Sequence, residues 1–108
     1  MIFDCPILII CWRRPEKTRN LIKTISKINP KKLYIFCDGA NHETDCIKNV
    51  QKTREIIDES INWDCNINKN YQSRNLGLKT GISSAISWLF ENESKGIILE
   101  DDCLPNES

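Results

Sequence analysis

Five apolar residues in succession, Ile7-Leu8-Ile9-Ile10-Cys11, constrain this chain more than any other stretch. A run of strand length with no polar alternation suits a strand covered on both faces, not one that shows a side to water. The rest of the chain must therefore supply neighbours and two covering layers.

The segments that follow read as that supply. Trp12, Arg13 and Arg14 make a short loop, and Pro15 is well placed as the first residue of a helix carrying Leu21, Ile25 and Ile28, closed by Pro30. Leu33 to Cys37 reads as a second short strand, ending at the turn signal Asp38-Gly39. From Thr44 to Ile61 a stripe of Ile47, Val50, Ile57 and Ile61 predicts a second helix. Trp63, Cys65 and Ile67 alternate with polar residues and predict a half-buried third strand near an edge. A loop from Asn70 to Gly77 leads to a third helix with Ile82, Ala85, Ile86, Leu89 and Phe90 at helical spacing. Last comes Gly96-Ile97-Ile98-Leu99-Glu100-Asp101-Asp102, a buried strand that stops on three carboxylates.

Strands and helices alternating in this way predict an α/β three-layer sandwich with a mainly parallel, Rossmann-like sheet and right-handed crossovers. In such sheets ligands bind outside the carboxyl ends of the strands, where the winding reverses. Arg13 and Arg14, Asp38, and Glu100 to Asp102 all follow predicted strands, so they gather at that rim. Clustered acids repel one another unless something cationic sits among them. A hard divalent cation, Mg2+ or Mn2+, suits them: it prefers oxygen, takes one or two protein ligands, and completes its shell with water and phosphate. An ordinary acidic turn before Pro105 is the alternative. Arg74 and Lys79 flank the start of the third helix, and Gly77 permits close backbone approach, so this loop can hold a base or pyrophosphate or be a solvated basic turn. His42, the only histidine, falls in a polar loop and reads as surface, whereas Trp12 can line the crevice.

Composition removes other classes. The 108 residues fit one domain, and Lys plus Arg equals Asp plus Glu at 15 each, leaving no net field to favour nucleic acid or an anionic membrane. The longest apolar stretch, Ile7 to Trp12, falls far short of the ~18 residues of a membrane span. It also lacks the charge order of a signal peptide, so a cytoplasmic location is expected. Six cysteines invite disulfides or zinc, but no Cys-x-x-Cys occurs and Cys5 and Cys11 would lie roughly 20 Å apart along a strand. Free buried thiols are expected, with Cys11, Cys37 and Cys103 near one another at strand ends.

Taken together, Arg14-Pro15, Asp38-Gly39, Arg74-Asn75-Leu76-Gly77 and Gly-Ile-Ile-Leu-Glu-Asp-Asp-Cys-Leu-Pro resemble the nucleotide-binding half of a GT-A glycosyltransferase. The likeness is to bacterial nucleotide-diphospho-sugar transferases and, more distantly, to animal N-acetylglucosaminyltransferases with a Glu-Asp-Asp version of the DXD motif. It implies a nucleotide-diphosphate sugar as partner, a UDP-sugar first among them, and a Mn2+ or Mg2+ ligated by Asp102 with Asp101. Glu100 and Asp101 would contact ribose, sugar or metal-bound water, Asp38 the base or ribose, and Arg14 the nucleotide. The resemblance identifies no catalytic base in this chain.

GT-A domains usually continue well beyond the metal motif, whereas this sequence stops six residues after Asp102. The expectation is an incomplete domain, truncated after its fourth strand, that does not transfer sugar alone. It would self-associate or associate with a missing C-terminal half. Two other readings stay open. A sugar nucleotidyltransferase would share the sheet, but it normally carries glycines after the first strand, which Trp12-Arg13-Arg14-Pro15 lacks. A non-catalytic binding or interaction module is the second.

Overall fold

The computed structural model describes residues 4–101. Asp102, the expected metal ligand, and Cys103 lie outside the described residues. The elements alternate as β1 (Ile7–Cys11), α1 (Pro15–Ser26), β2 (Lys32–Cys37), α2 (Thr44–Ser60), β3 (Asn66–Tyr71), α3 (Leu78–Asn92) and β4 (Ile97–Glu100). The four strands form one sheet in the order β3-β2-β1-β4, parallel throughout.

The uninterrupted apolar run is explained by its place. β1 lies between β2 and β4, and its alternate residues feed two different cores. Ile7, Ile9 and Cys11 pack with Leu33, Ile35 and Cys37 of β2 against Leu21, Ile22 and Ile25 of α1 and Cys46, Val50 and Ile57 of α2. Leu8 and Ile10 pack with Tyr34 and Phe36 against Ala85 and Leu89 of α3. Helices thus cover both faces, giving a three-layer α/β sandwich compatible with the Rossmann-like class.

Chain direction locates the rim. From β1 through β2 to β3 the chain steps one way, with α1 and α2 on one face. α3, on the other face, then carries it back to the far side of β1. Opposite travel on opposite faces keeps one hand for all crossovers. The reversal falls between β1 and β4, and their carboxyl ends are where such sheets open a crevice.

Several boundaries differ from expectation for local reasons. α1 stops at Ser26, and the chain leaves it through turn bonds from Ile28 N to Ile25 O and Asn29 N to Ser26 O. Ile28, expected on the apolar stripe, is therefore exposed. Asn29 takes φ 47°, a left-handed value asparagine tolerates, just before Pro30. On α2 the inward face is Cys46, Val50, Thr53, Ile56 and Ile57, one helical stripe, and Ile47 lies off it and exposed. Phe90 of α3 is exposed likewise. The third strand, expected to include Trp63 and Cys65, begins only at Asn66. The alternation at Trp63 and Cys65 belongs to the approach, where Trp63 Nε1 donates to Pro30 O at 2.9 Å. β3 is a polar edge strand held by full backbone register with β2, from Lys32 opposite Asn66 to Cys37 opposite Tyr71. β4, expected to be buried, is the other edge of the described sheet, with Ile97 and Ile98 exposed.

Candidate functional site

Parallel register brings the strand ends together. Cys11 stands opposite Cys37, and Ile10 opposite both Phe36 and Glu100. Backbone bonds continue past the strands: Asp38 N donates to Cys11 O at 3.4 Å, and Asp101 N to Ile10 O at 3.1 Å. The rim expected from sequence, with Cys11, Asp38 and Glu100 along one side of the sheet, is thus the rim observed.

A crevice of about 330 Å3 opens there. Ile10, Phe36 and Ile82 give it an apolar floor, and Trp12, Leu78 and Gly81 line it further. Arg13, Arg14, Asp38, Glu100 and Asp101 bring both signs of charge to its wall. Arg14 precedes Pro15, which disfavours helical backbone at that position, and it stands non-helical (φ -118°, ψ 81°) at the head of α1. From there its guanidinium reaches Asp101 at 3.8 Å. The Arg14 side chain is 51% exposed and that of Asp101 12%, so the basic group faces the opening and the acid lies deeper.

Asp38 is placed differently. It is 7% exposed, and its carboxylate is gripped by the chain. Oδ1 accepts from Gly39 N at 2.8 Å and Leu76 N at 2.9 Å. Oδ2 accepts from Gly77 N at 3.2 Å and Asn75 Nδ2 at 3.3 Å. α3 starts without a side-chain cap, and Asp38 supplies the negative charge just ahead of it. Its carboxylate is the clasp that fixes the Asn75–Gly77 loop on the sheet. Gly39 allows the clasp to close, because a Cβ there would stand 2.4 Å from the Arg74 carbonyl carbon. Gly77 takes φ 90°, the left-handed region that favours glycine, as the chain turns into α3.

Other groups stiffen the rim. Trp12 Nε1 and Asn75 Nδ2 both donate to Gly39 O at 2.9 Å. Arg54 of α2 donates through one nitrogen to Cys37 O, Asp38 O and Gln72 O at 3.4, 3.2 and 2.8 Å and lies over the Tyr71 ring at 4.9 Å. Arg54 is not part of the apolar stripe that the sequence marks on α2. Its position four residues after Val50 and three before Ile57 is the signal that it borders the inward stripe.

Cys11 and Cys37 are free thiols in opposite electrostatic situations. Hydrogen bonding with Cys37 and then burial push the Cys11 thiol well up. The Cys37 thiol is lowered, first by its hydrogen bond with Cys11 and then, against burial, by the Arg54 guanidinium. Cys37 is the acidic partner. The expected proximity of these two is observed, while Cys103 lies outside the described residues.

The other sequence candidates divide. Arg14, Asp38, Glu100 and Asp101 line one crevice, joined by Asn75 and Gly77 of the loop motif and by Gly81, which no sequence signal marks. Arg74 and Lys79 are exposed and do not line it, and Arg74 contributes its backbone against Gly39. No family model, curated protein or solved structure matches this chain.

Among the described residues no group of three or more His, Cys, Asp or Glu side chains could hold a metal ion, and Glu100 and Asp101 are the carboxylates beside the β1–β4 reversal. Of the metal-ligand pair that the resemblance implies, Asp101 and Asp102, only Asp101 is among the described residues, and its carboxylate is an oxygen donor of the kind that hard cations such as Mg2+ or Mn2+ prefer. Also among the described residues, no helix is long and apolar enough to cross a membrane.

Proposed function

We propose that this chain is the nucleotide-binding part of a GT-A-type glycosyltransferase, taking a nucleotide-diphosphate sugar, foremost a UDP-sugar, in the crevice between β1, β4 and α3. The observation that carries the reading is convergence: residues from four separated stretches, each part of the sequence resemblance, line one opening at the topological reversal. Four of them, Arg14, Asp38, Glu100 and Asp101, are positions the resemblance assigns to ligand binding.

In this reading the apolar floor of Ile10, Phe36 and Ile82 takes the flat, weakly polar part of the nucleotide. Arg14 offers a guanidinium to the diphosphate, a planar donor suited to phosphate oxygens. Asp38 acts on the ligand through the loop it clasps, holding Asn75 and Gly77 in place at the wall. Asp101 and Asp102 would hold the divalent cation, which when bound neutralises charge developing on the departing nucleoside diphosphate. Glu100, opposite Ile10, stands at the end of β4 where sugar or ribose hydroxyls can be accepted.

Titration calorimetry with a UDP-sugar, with and without Mn2+, tests the proposal. Binding is expected to require the cation and to weaken by about tenfold or more in Asp102→Asn, on the scale of a lost charge-assisted contact. Equal affinity in EDTA, or an unchanged affinity in the variant, would overturn the assignment.

A further inference from the structure

We propose that Cys11 and Cys37 form a dithiol site that a small hydroperoxide converts to a disulfide between two neighbouring strands. The inference stands apart from the nucleotide-sugar reading and starts from strand register. Cys11 is the last residue of β1 and Cys37 the last of β2, and the two are direct partners in the parallel ladder. Their side chains enter the same core, and neighbouring strands lie about 4.8 Å apart. A disulfide joins Cα atoms roughly 4.4–6.8 Å apart, so the backbone already holds the pair within bridging range.

The thiols also lean toward one another. The Cys11 thiol donates to Phe36 O of β2 at 3.5 Å, and the Cys37 thiol reaches Trp12 O, just beyond β1, at 3.6 Å. Each sulfur has crossed onto the other's strand, and the two are hydrogen-bonded to each other. Both are nevertheless free. The two preceding pairs on this face, Ile7 with Leu33 and Ile9 with Ile35, are aliphatic, so packing alone does not call for sulfur here.

The surroundings suit oxidation. Cys11 lines the crevice, which gives a small oxidant a way to its sulfur. Arg54 donates to Cys37 O and Asp38 O at 3.4 and 3.2 Å, so its guanidinium stands beside Cys37 and favours a thiolate in the pair. With one proton lost, the other is shared between the sulfurs. Moving it to Cys37 leaves the thiolate on Cys11, at the crevice wall. That sulfur attacks one oxygen of hydrogen peroxide: the S–O bond forms, the O–O bond breaks, and the departing hydroxide takes the proton from Cys37 and leaves as water. Cys37, now the thiolate, attacks the sulfenic sulfur of Cys11. The S–S bond forms, the S–O bond breaks, and the second hydroxide takes up the proton the pair first released. Two thiols have given up two electrons, and the peroxide is reduced to two waters.

Cys46 provides the internal comparison. It is 2% exposed, against 3% for Cys11 and 0% for Cys37, and belongs to the same core, but it stands on α2 with no cysteine in register. Burial alone would treat the three alike.

Peroxide titration of the whole reduced chain, followed by intact mass and by fragment mapping after alkylation, tests the proposal. The expected product is lighter by two hydrogens, carries one bond joining Cys11 to Cys37 within a single chain, keeps the Cys46 thiol, and returns to its starting mass with dithiothreitol. Cys37→Ala should form no such bond and lose the Cys11 thiol about tenfold more slowly. Cys46→Ala should behave as the unaltered chain does. Thiols at Cys11 and Cys37 that persist in excess peroxide, sulfinic acid at Cys11 without the bond, a bond that recruits Cys5, Cys46, Cys65 or Cys103 instead, or a bond that forms only in denaturant would each overturn the proposal. If Cys37→Ala does not fold, the mapping of the unaltered chain decides alone.

Discussion

Asp38 and Asp101 leave strands that flank β1 on opposite sides, at the same rim, and both are largely buried, yet they are employed in opposite ways. The Asp38 carboxylate is enclosed by donors from the Gly39 and Asn75–Gly77 backbone and from the Asn75 amide, all within its own fold. Asp101 lines the crevice with Arg14, whose guanidinium is half exposed, in its range. A sequence position after a strand therefore tells where an acid stands and leaves its occupation to whatever packs against it. At the end of β2 a returning loop arrives with backbone N–H groups that need an acceptor. At the end of β4 the crevice lies beside the acid.

The contrast is broken or sharpened most forcefully by removing each carboxylate. Asp38→Ala is expected to cost about 3 kcal/mol, because the Gly39, Leu76 and Gly77 N–H groups and the Asn75 amide all lose a charged acceptor. That corresponds to roughly 10–20 °C in thermal midpoint for a domain of this size. Asp101→Asn should lower the midpoint less and act mainly on cation-dependent nucleotide binding. Paired melting and calorimetry on the two variants check this, and equal midpoints would remove the distinction.

A smaller effect tests the clasp from its other side. Gly39→Ala places a methyl 2.4 Å from Arg74 C and 2.6 Å from Arg74 O, backbone atoms that cannot rotate away. The loop must lift, and a destabilisation of about 2 kcal/mol is expected, on the scale of overpacking. Because the strain falls on the Asp38 partners, Gly39→Ala and Asp38→Ala should be less than additive in chemical denaturation. Full additivity would mean that the loop and the carboxylate are not one unit.

Much of this architecture was legible. Two-sided burial of Ile7 to Cys11 required layers above and below, and strand–helix alternation required parallel pairing, so the rim with Asp38 and Glu100 followed. What stayed hidden depended on contacts between distant stretches. Nothing local to Asp38 announces that Leu76 and Gly77 will donate to it, and Arg54 sits in a charged helix where its reach to three carbonyls of the rim has no sequence mark. β3 was misplaced because its pairing is carried by backbone, while the apolar alternation at Trp63 and Cys65 serves the approach to the strand. Ile47 and Phe90 show the remaining gap: a helical stripe gives period, and the arc of it that is buried depends on the neighbours.

The smallest effect lies at the opposite end of the sheet and serves as the control for the rim. Tyr34 Oη donates to Glu93 at 2.6 Å, and Lys32 Nζ approaches the same carboxylate at 3.2 Å. Burial first, then Glu93, pushes the Tyr34 phenol from its ordinary 10 up to about 12. The Tyr34 hydrogen bond, and beside it Lys32, lowers the Glu93 carboxyl. The signs follow from linkage. A raised phenol contributes stability that is complete below the unfolded tyrosine value and lost as pH rises from about 10 toward about 12. A lowered carboxyl contributes stability that is complete above the usual carboxylate range and lost as pH falls through its folded value. Tyr34→Phe should therefore be less stable than the unaltered chain near neutrality, with the gap narrowing at both extremes. Denaturant unfolding across pH, with phenolate absorbance following Tyr34, measures it. Because this cluster shares no partner with the Asp38 clasp, Tyr34→Phe should add independently to Asp38→Ala, leaving nucleotide binding at the rim unchanged, and a shift in that binding would show that the two ends of the sheet are coupled.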